Sequence, residues 1–188
     1  MAASEQTNGP ALQELLSGAK LAGTWTLDAS RSTIGLRTKS MWGLAPVKGV
    51  FREVAGEGTV NAAGHVTGTV TVAAGSIDTK NNKRDTHLRS VEFFDVENHP
   101  SIVVSVTGIS VAGAGSAGTG ISVTGTLTVR DRSRPVSFDA AVSTVDVGEV
   151  WLDAHLEVNR VDFGLRWNRL GMASMNNTIT VHAVFTRQ

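Results

Sequence analysis

The chain contains no cysteine and no tyrosine, and aromatic residues make up only 5% of its 188 residues. Without cysteine it can form neither a disulfide framework nor a thiolate nucleophile, which excludes a disulfide-stabilised protein and a cysteine-dependent enzyme. It also lacks an excess of charge of either sign, because Lys+Arg and Asp+Glu both number 17. Nucleic-acid-binding proteins need a basic surface, so we expect no nucleic-acid partner.

Long apolar runs are missing as well, since no stretch approaches the roughly 20 residues that a membrane-spanning helix needs. The start of the chain also lacks the basic and apolar regions of a secretory signal. We therefore expect a cytoplasmic protein, or a periplasmic or secreted one if a signal has been removed.

Residues 1–22 are predicted to be separate from a single domain over residues 23–188. Pro10 suits the first turn of a short helix that carries three leucines and ends at Gly18. Because short isolated helices are marginal in water, this segment is either a frayed arm or an amphipathic cover over one end of the domain.

The domain itself alternates apolar residues with Ser and Thr at a period of two, as in residues 121–129 and 150–159. This pattern predicts about eight or nine strands, and the short connections between them favour antiparallel pairing. A two-sheet sandwich and a closed barrel both suit it. An up-and-down order of about eight strands favours an all-β, eight-stranded antiparallel β-barrel with a short helical insertion.

The apolar face of these strands is built mainly from small residues, which predicts an underfilled, dry lumen suited to a hydrocarbon. The alternative is a flattened barrel that is fully packed. The candidate ligand-binding residues on the wall are Ile34, Leu36, Phe51, Val70, Val72, Ile102, Val104, Val123, Leu127, Phe138, Leu152, Leu156, Val181 and Phe185. Those expected to close the ends are Leu88, Phe93, Met41 and Trp42.

One segment, residues 76–100, interrupts the alternation, and we call it the connector. Its spacings predict short helical turns, with Asn82 capping the first and Ser90 the second. Asp85 and Arg89 stand four residues apart and are expected to form an ion pair. Leu88, Phe93 and Phe94 are then free to turn towards the barrel. The connector either plugs one end for stability or covers the mouth of a pocket, and both can hold together.

Motifs for catalysis or metal binding are missing. None of the five histidines stands at a metal-ligand spacing, and a site formed by His155 and His182 is only a weak hypothesis. No nucleophile elbow, phosphate-binding loop or dinucleotide fingerprint occurs. We therefore expect no enzyme, no metal and no cofactor.

The chain resembles the YceI-like family of lipocalin-like polyisoprenoid-binding proteins. The matching segments in the connector are 76–79 (SIDT), 84–85 (RD), 87–90 (HLRS), 93–96 (FFDV) and Pro100; others are 25–28 (WTLD), 47–51 (VKGVF), 125–129 (GTLTV) and 160–165 (RVDFGL). The resemblance implies a lipocalin-like barrel whose apolar tunnel holds a polyprenyl chain or an isoprenoid quinone, and it is compatible with a homodimer. Where the family usually has two histidines, this chain has Arg31 and Lys39, and permanent cations at the mouth favour an anionic or carbonyl head group.

The leading hypothesis is a non-enzymatic carrier or store of an isoprenoid lipid, with transient contact to a membrane or a membrane protein. A scavenger of amphipathic molecules such as lipophilic antibiotics is an alternative. An enzyme that uses Asp85, His87 or Arg89 on a lipid head group is another, and a structural module with a filled barrel is the last.

Overall fold

The computed structural model describes residues 9–40, 44–112, 119–146, 148–168 and 173–188. The helices are α1 (Gly9–Ser17) and α2 (Asn82–Arg89), and short 3-10 turns span Ala74–Ser76 and Arg160–Phe163. The strands are β1 (Gly23–Leu27), β2 (Thr33–Ser40), β3 (Ala45–Phe51), β4 (Val54–Val60), β5 (Val66–Ala73), β6 (Ile77–Asp78), β7 (Ser101–Val111), β8 (Thr119–Val129), β9 (Arg132–Asp146), β10 (Glu149–Asn159) and β11 (Asn176–Arg187). Within the described residues, neither helix combines the length and the apolar character needed to cross a bilayer.

The eleven segments form one antiparallel sheet that closes on itself. Three strands are each broken into two segments, so that β1 and β2 pair with successive parts of β11, through Thr26↔Thr186 and Ile34↔Val181. The second broken strand consists of β3 and β4, and the third consists of β5 and β6. The result is an eight-stranded barrel in up-and-down order, which confirms the predicted fold and shows that the sandwich alternative is wrong.

A tight turn separates β1 from β2. The Asp28 carboxylate accepts hydrogen bonds from the hydroxyl of Ser30 at 2.6 Å and from the guanidinium of Arg31 at 2.7 Å. These two bonds, with that from Ser30 the stronger, lower the pKa of Asp28 to about 2. Arg31 also lies 2.8 Å from Glu149, so the turn is tied to the start of β10.

Helix α1 covers one end of the barrel. Leu12 and Leu16 are buried in one cluster with Leu21 and Trp25, and the indole of Trp25 donates to the Leu21 carbonyl at 2.9 Å. Arg187, at the end of β11, donates to the Lys20 carbonyl at 3.0 Å. Since isolated short helices are marginal, this apolar packing is what stabilises α1.

The connector contains α2, whose cap differs from the prediction. Asn81, one residue before the predicted Asn82, accepts from the backbone N–H of Arg84 at 3.0 Å and is the N-cap. Ser90 does not cap a second turn with its side chain. Its hydroxyl donates instead to the His87 carbonyl at 2.7 Å, at the end of α2.

The predicted ion pair between Asp85 and Arg89 is wrong. The buried Asp85 carboxylate accepts from the N–H and the hydroxyl of Thr79, at 3.0 and 2.6 Å. Arg89 donates to the carbonyls of Gly75 and Ile77, at 2.7 and 2.8 Å. Both side chains therefore fasten α2 to the backbone around β6, because buried polar groups need partners and the chain before α2 supplies them.

Candidate functional site

The interior of the barrel holds an apolar cavity of about 420 Å³. This lies within the range of roughly 300–1,000 Å³ that is typical of small-molecule sites. Because a space of this size remains between the inward-facing side chains, the alternative of a flattened, fully packed barrel is wrong, and so is the structural module with a filled barrel.

The structure places all of the predicted wall residues, together with Leu88 and Phe93, on the lining of this cavity. Met41 and Trp42 lie outside the described residues. That the lining residues contact a ligand stays a prediction. Apolar lining residues that were not predicted as ligand-binding are Leu27, Val47, Phe94, Val106, Val129, Val158, Phe163, Leu165, Trp167, Ala173, Ile179 and Ala183. Most of them lie at the alternating positions of their strands that face inward, so the alternation in the sequence could have identified them.

The two ends of the cavity differ in chemistry. At one end lies the cluster formed with α1, which includes Trp25, Ile121 and Ala154. At the other end the lining turns polar, with Thr38 and Asn177 among its members. We call this polar end the mouth. Its polar and charged lining residues are Thr38, Lys39, Ser40, Thr79, Arg84, His87, Arg160, Ser174 and Asn177.

The mouth is held together by a continuous series of contacts. The backbone N–H of Ser174 donates to the Lys39 carbonyl at 2.9 Å, and the Ser174 carbonyl accepts from Nε of Arg160 at 2.8 Å. Arg160 also donates to the Trp167 carbonyl at 2.8 Å. The Trp167 ring lies edge-on to the His87 ring, with centroids 4.5 Å apart. These contacts connect β2, the segment after β10, and α2 around one opening.

Arg160 is the structural centre of this arrangement, although only 6% of it is exposed. Its guanidinium donates to the backbone carbonyls of Leu165, Trp167, Ala173 and Ser174. Desolvation by burial lowers the pKa of Arg160. In the sequence, Arg160 is visible only as the first residue of the motif at 160–165. Its burial and its four carbonyl partners depend on how the segment that carries Trp167 and Ser174 folds back onto it.

Aromatic side chains from the connector lie beside it. The Phe93 ring is 5.1 Å from the His87 ring and 5.4 Å from the Trp167 ring, measured between centroids. The guanidinium carbon of Arg160 lies 5.9 Å from the Phe93 centroid. His87 is also 2.7 Å from the carboxylate of Glu92, which holds the imidazole in place. The connector therefore contributes aromatic rings to the mouth of the cavity.

Arg31 was predicted at the mouth together with Lys39, and for Arg31 this is wrong. Arg31 forms an ion pair with Glu149, which lies opposite Thr186 in the sheet. This is the end of β11 at which Arg187 contacts the segment that follows α1. Lys39 does line the mouth. Arg31 lies in the turn between β1 and β2, whereas Lys39 lies near the far end of β2.

The residues considered for catalysis and metal binding are dispersed. Of Asp85, His87 and Arg89, only His87 lines the cavity. His155 and His182 lie on the neighbouring strands β10 and β11, and His182 is 2.6 Å from Asp153. Across the described ranges there is no group of three or more residues suited to hold a metal ion.

An up-and-down antiparallel barrel with an apolar interior and one polar mouth defines a lipocalin-like protein. The sequence pattern of the YceI-like domain matches residues 25–186, and the chain belongs to this family. It is 28% identical, over 77% of its length and 84% of the relative's, to a UPF0312 protein of Staphylococcus aureus strain MSSA476.

Solved structures show the same fold. BcnA of Burkholderia cenocepacia aligns with a TM-score of 0.73 at 19% identity, covering 84% of this chain and 98% of BcnA. A domain from Saccharophagus degradans, described as polyisoprenoid-binding and implicated in plant cell wall breakdown, aligns with a TM-score of 0.69 at 14% identity. That alignment covers 87% of this chain and 98% of the domain. At these identities the likeness establishes the fold alone.

Proposed function

We propose that this protein binds an isoprenoid lipid, a polyprenyl chain or an isoprenoid quinone, and stores or carries it in the barrel cavity. The observation that carries the proposal is the apolar cavity of about 420 Å³ with its polar mouth. Burial of each CH₂ group contributes about 0.8 kcal/mol, so an isoprene unit of five carbons contributes up to about 4 kcal/mol. A few such units bind well without polar groups deep inside the barrel.

The description of the Saccharophagus degradans domain as polyisoprenoid-binding supports this choice of ligand among hydrocarbons. The arrangement of the mouth supports it too, because an amphipathic ligand places its chain inside and its head group among polar side chains. On this proposal His87, Phe93 and Trp167 surround the head-group end of the chain.

Native mass spectrometry after mild purification tests the proposal. We expect a bound lipid, or uptake of one from a mixture of polyprenyl alcohols and quinones, and organic extraction should release it unchanged. A protein that carries no lipid and gains none from such mixtures would overturn the proposal.

We further propose that binding involves no chemical conversion of the ligand. Asp85 and Arg89 are engaged in bonds to Thr79 and to the carbonyls of Gly75 and Ile77, away from the cavity lining. Among these groups only His87 lines the cavity, and its ring contacts Glu92, Phe93 and Trp167. In the described part of the chain no hydroxyl nucleophile is hydrogen-bonded to that ring, as nucleophilic catalysis would need. A ligand recovered with an altered head group, and recovered unaltered from His87→Ala, would refute this.

A scavenger of other amphipathic molecules is favoured by one observation, the scarcity of polar groups on the cavity wall beyond the mouth. Such a wall selects by size and apolarity. Displacement of a fluorescent lipophile separates the two functions. Isoprenoids displace it best under our proposal, and lipophilic antibiotics displace it best under the alternative.

We propose that the ligand enters and leaves at the mouth through brief contact with a membrane. Two large apolar side chains that are exposed flank this end: Leu44 (82% exposed) precedes β3, and Met175 (55%) follows the mouth residue Ser174. Val91 (66% exposed) follows α2 in the connector. Sedimentation with phospholipid vesicles tests this, and the combined Leu44→Ser and Met175→Ser substitutions should weaken the association.

A further inference from the structure

Helix α1 lies beneath the floor of the cavity, at the end away from the mouth. Its buried side chains Leu12 and Leu16 belong to the same apolar cluster as Val123, which also lines the cavity. Further lining residues that pack against this cluster are Val106, Phe138, Leu152, Val181 and Phe185. These shared side chains face the cavity on one side and the α1 cluster on the other.

The barrel wall leaves room for this helix. Ala140 on β9 and Ala154 on β10 lie directly opposite each other in the sheet, and both are buried in the α1 cluster. Because alanine side chains are small and protein interiors are closely packed, the leucines of α1 supply the bulk that fills this end. Without them the cavity would continue further into the barrel. Helix α1 precedes residues 25–186, so the match to the YceI-like domain does not account for it.

Apolar contacts alone hold α1 against the barrel, whereas hydrogen bonds hold the segment that follows it. Within the described part of the chain, residues 12–17 form no hydrogen bond or ion pair with the barrel. By contrast, the guanidinium of Arg187 donates to the carbonyls of Lys20 and Ala22. Between the two parts, Ala19 has a φ of 56°, in the left-handed region that is unfavourable for a residue with a β-carbon. Ala19 is therefore a suitable hinge, and moving α1 away breaks no hydrogen bond to the barrel.

We infer that α1 is a lid on the floor of the cavity, closed over shorter chains and displaced about Ala19 by chains that are longer than the cavity. This inference rests on the proposed function and adds what determines the length of the ligand that binds best. A chain that ends above the floor leaves Leu12 and Leu16 in their cluster. A longer chain replaces these leucines with its own terminal carbons, so the barrel regains from the ligand the apolar contact that it loses from the helix. The displaced helix frays, since short isolated helices are marginal in water.

A series of prenyl alcohols that differ only in the number of isoprene units tests the inference. The affinity of the wild type should rise with each unit until the chain reaches the floor, and then level off. Leu12→Ala combined with Leu16→Ala removes about six side-chain carbons, close to the five of one isoprene unit. The point at which affinity levels off should therefore move to a chain one unit longer, and affinity for that chain should rise about tenfold or more. Affinity for the shortest chain, which ends above the floor, should stay the same.

Gln13→Ala combined with Glu14→Ala is the matched control, because both residues lie exposed on the same helix. It should leave the length preference unchanged. Circular dichroism verifies folding, and hydrogen–deuterium exchange of the wild type covers the case in which the leucine variant does not fold. A prenyl alcohol longer than the levelling-off point should accelerate exchange at the amides of residues 12–17, and a shorter one should not.

The outcomes separate the lid from the proposed function. An unchanged length preference in the folded leucine variant would overturn the lid, as would an equal shift in the control. Exchange in α1 that is unaffected or slowed by the longest chain would overturn it too. In each of these cases the binding of prenyl alcohols leaves the proposed function standing, whereas failure of every chain to bind overturns both.

Discussion

Filling the cavity from its wall should weaken lipid binding strongly without harming the fold. Val104 lies on β7, directly between Val70 on β5 and Leu127 on β8, and all three line the cavity. Val104→Phe places a ring in the space that the lipid chain is proposed to occupy. Val103→Phe is the matched control, because Val103 is adjacent on the same strand and does not line the cavity.

The magnitude follows from the carbon atoms that are exchanged. Phenylalanine has four more side-chain carbons than valine, and a ligand denied contact with that space loses about 0.8 kcal/mol for each. The loss is about 3 kcal/mol, which weakens binding roughly 200-fold. The same carbons fill a void in the lipid-free protein, and cavity-filling substitutions commonly add about 0.5–2 kcal/mol to the free energy of unfolding.

The assay is therefore a pair of measurements with opposite expected signs. Lipid affinity of Val104→Phe should fall, whereas the melting temperature of its lipid-free form should stay level or rise by a few degrees. Val103→Phe should retain lipid. Normal lipid binding by a folded Val104→Phe would refute the placement of the ligand, as would equal losses in the two variants.

Two further predictions concern the mouth and the turn after β1. Truncating Leu88 and Phe93 together to alanine should accelerate lipid release at least tenfold, because about 0.8 kcal/mol is lost for each CH₂ that contacts the chain. Transfer of the lipid to acceptor vesicles measures the release rate. Unchanged retention, or an equal loss in the control Val91→Ala, would contradict the assignment of these two residues as ligand contacts. The pKa of Asp28 is lowered from 3.8 to about 2, so its contribution to stability is complete above about pH 4 and disappears as the pH falls towards 2. Melting temperatures followed across this range should fall more steeply for the wild type than for Asp28→Asn, and parallel curves would show that the bonds to Arg31 and its neighbours do not stabilise the fold.

Strand parity was readable from the chain because it is a local property. Alternation places every second side chain on the same face of a strand, so residues such as Val123 and Leu127 were assigned to the inner face without knowledge of the pairing. The count of about eight or nine strands also follows from alternation. The division into eleven segments does not, because breaks such as the turn at Asp28 depend on side-chain hydrogen bonds that alternation does not report.

Side-chain partners in the connector were less predictable. A separation of four residues made an ion pair between Asp85 and Arg89 geometrically available, yet Asp85 accepts from Thr79 and Arg89 donates to the carbonyls of Gly75 and Ile77. Helical spacing shows which side chains can meet within a helix. It does not show that a neighbouring backbone offers stronger hydrogen bonds to groups that become buried.

The sequence by itself determined the strands, the apolar inner face, the helical connector and the resemblance to the YceI-like family, because each depends on residues close together in the chain. Only the tertiary structure decided the volume of the cavity, the position of Arg31 away from the mouth, and the gathering of Lys39, Arg84 and Arg160 around it. The physical reason is that barrel closure brings together segments far apart in sequence. The charge they carry collectively, and the space they leave between them, are properties of that arrangement and of no single segment.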